Sequence, residues 1–185
     1  DASTAEDAAY SLDISSVFAD VDVSDTLSYS ISGAPSTITH TSGTISGTPV
    51  NADVGTHTIV VTATDGTASV TDTYDLTVTN TNDAPTVANA ISDASNAEDA
   101  AYSLDISSVF ADVDVSDTLS YSISGAPSTI THTSGTISGT PVNADVGTHT
   151  IVVTATDGTA SVTDTYDLTV TNTNDAPDRK STRLN

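Results

Sequence analysis

The sequence predicts an all-β protein built as two tandem β-sandwiches, and three observations carry that prediction. The segment from Ala5 to Pro85 recurs without change from Ala97 to Pro177, so the chain contains an internal repeat. Within each copy, apolar residues alternate with polar ones at a period of two. Turn-forming residues separate these short alternating runs, which is typical of an antiparallel sandwich of about seven strands.

The repeat defines the predicted domains. Ala5 and Ala97 are 92 residues apart, and the segment TVANAIS at 86–92 precedes the second copy only. We therefore expect a first unit at 1–85, which lacks the opening strand, and a complete unit at 86–177. The first unit should be the less stable, because Val87 and Ile91 of TVANAIS add buried aliphatic surface to the second. The chain shows no signal peptide at its start and is interpreted as a fragment of something longer.

The tail at 178–185, DRKSTRLN, differs abruptly in composition from the rest of the chain. It matches the conceptual translation of a common sequencing adapter, and we expect it not to be native. The alternative is a native basic tail.

Each predicted strand places its apolar residues on one face. Thr and Val dominate these runs, and β-branched residues suit a pleated surface. The Asp65–Gly66 pair predicts a turn between the last two strands of the first unit. The alternating apolar sets of the first unit are Tyr10, Leu12 and Ile14; Leu27, Tyr29 and Ile31; Ile59, Val61 and Ala63; and Val70, Tyr74, Leu76 and Val78.

Charge excludes several classes of function. The chain carries 25 acids, 3 bases and a net charge of −22, and all three bases lie in the tail. A nucleic-acid binder needs cations for the phosphates, and an anionic lipid surface repels such a chain. No Cys is present, which excludes a disulfide scaffold and a Cys-ligated metal. No apolar run is long enough to span a membrane.

The acids gather near predicted turns, where no Lys or Arg can neutralise them. Two carboxylates ~4 Å apart repel by roughly 1 kcal/mol in water and by about 4 kcal/mol at an effective dielectric near 20. A hard divalent cation with oxygen ligands would relieve this repulsion, and calcium tolerates irregular carboxylate and amide ligation better than magnesium. The other interpretation is that these residues are ordinary turn caps on an acidic surface.

Several motifs resemble a known family. ADVDVSDTLSYSISG, ISGTPVNADVGTHTIVVTATDG and TNTNDAP resemble the cadherin-like repeats of bacterial surface proteins, in particular the dystroglycan-type cadherin-like domain and its putative-Ig relatives. The resemblance covers residues 1–177 and implies Greek-key Ig/cadherin-like sandwiches with Ca²⁺ between consecutive domains. Asn51 and Asn80 stand where the family has carboxylates, and the linker is one residue shorter, so fewer or weaker ions are expected.

The resemblance implies one set of calcium ligands at the junction. The first unit would supply an acid near its first strand and a pair in a central turn, the linker a D-x-N-D-type motif, and the second unit a D-x-D pair and later acids. These residues are Glu6, Asn51, Asp53, Asn80, Asn82, Asp83, Asp112, Asp114, Asp117 and Asp157.

The function expected from these features is a calcium-stiffened extracellular or cell-surface spacer in a large bacterial adhesin or secreted repeat protein. Its partners would be neighbouring repeats and, through the parent protein, other cells or surface glycans. The alternatives are an adhesive module that binds homophilically or to carbohydrate, and a passive acidic spacer without a specific metal. No nucleophile elbow or aromatic-lined carboxylate cleft is present in the sequence pattern, so we expect no enzyme activity.

Overall fold

The computed structural model describes residues 1–22 and 25–176, and the chain divides into two compact units. Unit 1 comprises Asp1–Asn82, and unit 2 begins at Asp83. The tail at 178–185, for which an adapter origin is expected, lies outside the described residues. None of the helices within the described ranges is long and apolar enough to cross a membrane.

The described residues of unit 1 form seven strands and one short 3₁₀ turn at Asn51–Asp53. The strands are β1 (Ala2–Ala5), β2 (Tyr10–Asp13), β3 (Ser28–Ser32), β4 (Ile38–Thr41), β5 (Thr44–Gly47), β6 (Gly55–Thr64) and β7 (Ser69–Thr79). One sheet has the order β1-β7-β6-β3 and the other has the order β2-β5-β4. The β6–β7 hairpin is the longest pairing, with Ile59 opposite Tyr74.

Unit 2 repeats this arrangement and adds one further strand pair. Its strands are β8 (Thr86–Val87), β9 (Ala94–Ala97), β10 (Tyr102–Asp105), β11 (Phe110–Ala111), β12 (Ser120–Ser124), β13 (Ile130–Thr133), β14 (Thr136–Gly139), β15 (Gly147–Thr156) and β16 (Ser161–Thr171), with a 3₁₀ turn at Asn143–Asp145. The sheets have the orders β12-β15-β16-β9 and β10-β14-β13, and β8 pairs with β11. The predicted all-β fold is therefore confirmed in both units.

The turn between β6 and β7 shows how local chemistry fixes the hairpin. One oxygen of Asp65 accepts the N–H groups of Thr67 and Ala68 at 2.6 and 2.7 Å. Gly66 has φ +97°, a left-handed conformation that glycine adopts without a steric penalty. The Asp-Gly turn signal in the sequence is thus satisfied by an Asx-type turn.

The two sheets of each unit enclose one apolar core. In unit 1 the fully buried side chains include Ile45, Ile59 and Leu76, each at 0% exposure. At the same three repeat positions unit 2 has Ile137, Ile151 and Leu168, which belong to its core cluster and are also at 0% exposure. Burial of each such side chain stabilises the fold by about 1.5–3 kcal/mol.

Two details differ from the expected antiparallel pattern. β1 runs parallel to β7, with Ala2 opposite Leu76, and β9 pairs with β16 in the same way. The segment 86–92 was expected to form a full opening strand, but only Thr86–Val87 is extended in a ladder. Beyond Val87 the backbone leaves the ladder because the N–H groups of Ala88 and Asn89 both bond to the carbonyl of Val109.

Identical residues of the two units differ in burial. Val17 is 51% exposed, whereas Val109, its counterpart 92 residues later, is 6% exposed. Val70 was expected to face the core with Tyr74, yet it is 57% exposed, while Val162 packs against the core of unit 2. In unit 2 the chain at Val109 is joined to residues 87–89, since the N–H groups of Ala88 and Asn89 bond to its carbonyl and Val87 pairs with Phe110.

Candidate metal centres

A buried carboxylate cluster lies where the chain enters unit 2. Asp114 is 1% exposed, and its Oδ2 accepts the backbone N–H of Asp83 at 2.7 Å. Asp112 Oδ1 accepts the N–H of Asp114 at 3.0 Å, an Asx-type bond that fixes the backbone between the two acids. Asp112 Oδ2 and Asp114 Oδ1 are buried and accept no hydrogen bond from the described residues. Buried polar atoms are nearly always paired, so these two oxygens require an explanation.

Asp117 and Asp157 follow the pair on neighbouring loops. The N–H of Asp117 bonds to the carbonyl of Asp114 at 2.9 Å, which closes a turn directly after the pair. Asp157 Oδ1 accepts the N–H groups of Thr159 and Ala160 at 2.6 and 2.7 Å, which caps the β15–β16 turn.

In unit 1 the acids at the repeat positions of Asp112, Asp117 and Asp157 lie close together. One carboxylate oxygen from each of Asp20, Asp25 and Asp65 lies within 4.8 Å of the others.

A second cluster occupies the other end of unit 2. Carboxylate oxygens of Glu98, Asp99 and Asp175 lie within 4.8 Å of one another. Glu98 is 2% exposed, and its Oε1 accepts the N–H of Thr173 at 2.7 Å, while Oε2 is buried without a partner in the described part of the chain. Asn143 donates its side-chain N–H to Asp175 Oδ2 at 2.9 Å, so an amide joins the acids.

Unit 1 has the matching buried glutamate. Glu6 is 2% exposed, its Oε1 accepts the N–H of Thr81 at 2.8 Å, and its Oε2 is buried without a partner among residues 1–22 and 25–176. Thr81 lies between Asn80 and Asn82 in the chain, so this bond brings the linker to Glu6, and both asparagines are exposed. The structure thus brings part of the predicted set together within this unit.

Asp53 and Asn51 are placed differently from the buried glutamate. Asp53 Oδ2 accepts the hydroxyl of Thr37 at 2.6 Å and the N–H of Val50 at 3.0 Å. These two bonds, with the hydroxyl bond the larger cause, hold the pKa of Asp53 below its ordinary value. Asn51 opens the 3₁₀ turn in which Asp53 lies. Asp53 therefore already fixes the turn at Asn51–Asp53, and its role as a calcium ligand stays a prediction.

Electrostatics favours a cation at these clusters. Residues 1–177 contain no Lys or Arg, so no side chain of fixed positive charge can balance a buried carboxylate there. Taking a charged carboxylate out of water without a partner costs several kcal/mol. A divalent cation with oxygen ligands offsets this cost, and the available donors are carboxylate, amide and backbone oxygens, which suit calcium.

Sequence reasoning missed all six acids of the two three-carboxylate groups. Asp20, Asp25 and Asp65 occupy the same repeat positions as predicted ligands of unit 2, and Glu98 and Asp175 occupy those of the predicted Glu6 and Asp83. Asp99 follows Glu98 in the chain, and its counterpart, Asp7, was not among the predicted ligands. The 92-residue repeat contained the signal, because each ligand assigned to one copy has a counterpart in the other. The prediction considered one junction only and did not transfer the ligands between copies.

The histidines are half-buried and hydrogen-bonded. His40 Nε2 accepts the N–H of Gly43 at 3.2 Å and its ring packs edge-on against Tyr29, with 6.0 Å between ring centroids. His57 Nε2 lies 2.7 Å from the carbonyl of Asp53. Both rings therefore support turns of the sandwich.

Comparison with protein families gives a match to the model described as "Putative Ig domain", over residues 1–79 and 84–171. The two matched segments cover most of the chain and coincide with the two units. The chain belongs to the putative Ig domain family. Each unit of the sequence is thus one domain of this family, and the resemblance seen in the motifs is confirmed.

One solved structure with a TM-score above 0.5 supports the same fold class for this family member. Extracellular cadherin domains 1–5 of protocadherin gamma B2 align with a TM-score of 0.59 and 17% identity, over 80% of this chain and 34% of that one. Domains EC1–2 of human protocadherin-24 align with a TM-score of 0.49 and 18% identity, over 86% of this chain and 87% of that one. No sequence among curated proteins matches the chain.

An endo-fucoidan hydrolase of glycoside hydrolase family 107 also aligns, with a TM-score of 0.41 and 24% identity. The alignment covers 93% of this chain, which spans about a quarter of the hydrolase, 27% of its length. A similarity at this level carries no argument about fold or function.

Proposed function

We propose that this putative Ig domain pair is a calcium-stiffened extracellular spacer from a large bacterial surface adhesin or secreted repeat protein, and that it has no enzyme activity. The observation that carries the proposal is the set of buried carboxylate oxygens without hydrogen-bond partners in the described structure: Glu6 Oε2, Glu98 Oε2, Asp112 Oδ2 and Asp114 Oδ1. Four such atoms in a chain body without Lys or Arg are explained most simply as metal ligands.

The proposed ligands divide into two half-sites in every repeat. One half-site contains the buried glutamate, the acid that follows it and the acid of the NTNDAP linker; in unit 2 these are Glu98, Asp99 and Asp175. The other half-site contains the D-x-D pair, Asp112 and Asp114. We assign Asp117 and Asp157 of the same unit to this half-site as well. We propose that the last half-site of one repeat and the first half-site of the next share calcium.

The mechanism is mechanical. Without a cation the carboxylates repel one another, and the linker can adopt many directions. Calcium bound by oxygens of consecutive repeats cancels this repulsion and restricts the linker. A tandem array then behaves as a rod that holds a terminal binding domain away from the cell surface. The partners of each repeat are accordingly its neighbours along the chain.

Conservative variants test which oxygens bind calcium. Asp114→Asn and Glu98→Gln keep the side-chain shape and remove one charge each, so the sandwiches should remain folded by far-UV circular dichroism. In isothermal titration each variant should bind calcium at least about tenfold more weakly than the unchanged chain, because a carboxylate ligand is lost.

Asp72→Asn is the matched control, since Asp72 is an exposed acid on β7 away from both half-sites. Its calcium affinity should equal that of the unchanged chain. If Asp72→Asn lowers the affinity as much as Asp114→Asn, the ion responds to overall negative charge only, and the site assignment is wrong.

A further inference from the structure

Each unit has an Asp–Gly step at the turn of its longest hairpin. These steps are Asp65–Gly66, between β6 and β7, and Asp157–Gly158, between β15 and β16. An aspartate followed by glycine is the step of a polypeptide most open to spontaneous isomerisation, because glycine has no side chain to hinder attack by its own backbone nitrogen. The sequence contains no Asn–Gly, the other step of this kind.

The reaction re-routes the main chain and needs no reagent other than water. The backbone nitrogen of Gly66 attacks Cγ of Asp65. A new N–C bond forms while the carboxyl OH leaves with the amide hydrogen as water, which gives a cyclic succinimide. Water then opens the ring at either carbonyl carbon. Opening at the backbone carbonyl gives isoaspartate, in which the main chain runs through the former side chain and gains a methylene group.

The two steps are open to solvent. Gly66 and Gly158 are both exposed. A Cβ built on either glycine would meet no atom of the described residues within 4 Å, apart from its neighbours in the chain. Water therefore reaches both turns, and tertiary packing does not hinder the attack. Protection of these steps can come from the hydrogen bonds of the turn itself.

Thr64 holds the attacking nitrogen. Its Oγ1 accepts the N–H of Gly66 at 3.0 Å and donates to the carbonyl of Ala68 at 2.7 Å. The nitrogen has to lose this hydrogen to form the succinimide, and the bond to Thr64 retains it and fixes the peptide group. Thr156 makes the same two bonds in unit 2, at 3.0 and 2.6 Å.

The carboxylate under attack is held as well. Oδ1 of Asp65 accepts the N–H groups of Thr67 and Ala68 at 2.6 and 2.7 Å. Asp157 accepts the equivalent pair at the same two distances. Ring closure re-orients the carboxyl group, so these Asx-type bonds have to break first.

We propose that Asp65–Gly66 and Asp157–Gly158 are modification sites at which isoaspartate forms, and that the hydroxyl groups of Thr64 and Thr156 suppress its formation in the folded domains. The proposal concerns the chemical lifetime of the repeat and is separate from its proposed function as a spacer.

Isomerisation would change the turn in two ways. It would break the Asx-type bonds that close the β6–β7 hairpin. It would also displace the carboxylate of Asp65, one oxygen of which lies within 4.8 Å of carboxylate oxygens of Asp20 and Asp25. The hydrogen bonds of the turn therefore preserve both the hairpin and this cluster.

Water enriched in ¹⁸O measures the reaction directly. The full chain is incubated in it at neutral pH, and each succinimide that opens retains a heavy oxygen, which mass spectrometry detects in the digested turn peptide. Labelling should be at least about tenfold slower in the folded chain than in the free peptide TATDGTASV, because several hydrogen bonds have to break. Equal rates overturn the proposal, and so does heavy oxygen that accumulates chiefly at other aspartates.

Thr64→Val tests the hydroxyl group. Valine keeps the shape of threonine and removes both of its bonds in the turn. The change also alters the mass of the unit 1 turn peptide, so the turn of unit 2 is a control within the same molecule. The unit 1 turn should label at least about fivefold faster than the unit 2 turn. Equal labelling of the two turns contradicts the protective role.

Two further variants separate the hydroxyl group from a general loss of stability. Thr64→Ser keeps the hydroxyl and should label as slowly as the unchanged chain; labelling as fast as in Thr64→Val would overturn the proposal. Thr62→Val makes the same change two residues earlier on β6 and should leave the rate unchanged. An equal increase there would mean that any weakening of the strand suffices, which contradicts the role of Thr64. All incubations contain chelator, so the outcome is independent of calcium binding.

Discussion

Val109→Ala and Val17→Ala compare one substitution at two identical sequence positions with different surroundings. Val109 is 6% exposed and Val17 is 51% exposed. The substitution removes two methyl groups, which at the buried site should cost about 2 kcal/mol in the free energy of unfolding, including the cavity left behind. At Val17 half of the burial is already missing and no closed cavity forms, so the cost should be about 0.8 kcal/mol or less.

The assay must resolve two units of nearly identical sequence. Peptides from residues 5–85 and 97–177 have the same mass, so mass spectrometry of the digested chain cannot assign them. Segmental ¹⁵N labelling allows hydrogen exchange to be followed by NMR in one unit at a time. The slowest amides of the core strands report the free energy of unfolding of that unit.

The comparison has a clear refuting result. Equal losses in the two variants, each measured in its own unit, would mean that residues 86–91 do not bury Val109 in solution. The burial difference between the two units would then be wrong.

Two further predictions concern acid and the core. Stability should fall as the pH drops below about 4, because hydrogen bonds from Thr129 and Val142 hold the pKa of Asp145 below its ordinary value of 3.8. That contribution is complete above the unfolded-state pKa and is lost as the pH falls through the lower folded-state value. Urea unfolding of Asp145→Asn should therefore show a weaker acid dependence, and an unchanged dependence would contradict this role. Tyr166→Ala should destabilise unit 2 by about 3–5 kcal/mol, because the ring is fully buried and bonds to Tyr102. Tyr74→Ala should cost less in unit 1, since that ring is half-buried, and an equal cost by hydrogen exchange would contradict the burial difference between the two tyrosines.

The fold could be predicted from the sequence because each strand carries its own evidence. The alternation at Ile59, Val61 and Ala63 identified the core face of β6, and all three are buried. The parallel pairing of β1 with β7 could not be predicted, since β1 is only four residues of small side chains, ASTA, without a directional signal. Pairing direction is decided by tertiary packing.

The candidate site was only partly accessible from the sequence. The motifs pointed to Glu6 and Asp114, and both proved buried with an oxygen lacking a partner in the described chain. Sequence cannot tell a turn cap from a metal ligand when the residue type is the same. Asp53 and Asp157 illustrate this, because hydrogen bonds to Val50 and to Thr159 already give each a structural role.

Calcium-dependent stability of the full chain tests the proposed function most directly. The chain is stripped with chelator, and its urea unfolding is measured in the presence and absence of calcium, with magnesium as the comparison ion. Binding to the folded state should raise the free energy of unfolding by roughly 2.7 kcal/mol when free calcium is about 100-fold above its dissociation constant. Magnesium should have a smaller effect, because it demands a tighter octahedral site. An unchanged midpoint at millimolar calcium, together with no heat in isothermal titration, would contradict calcium binding by the buried carboxylates.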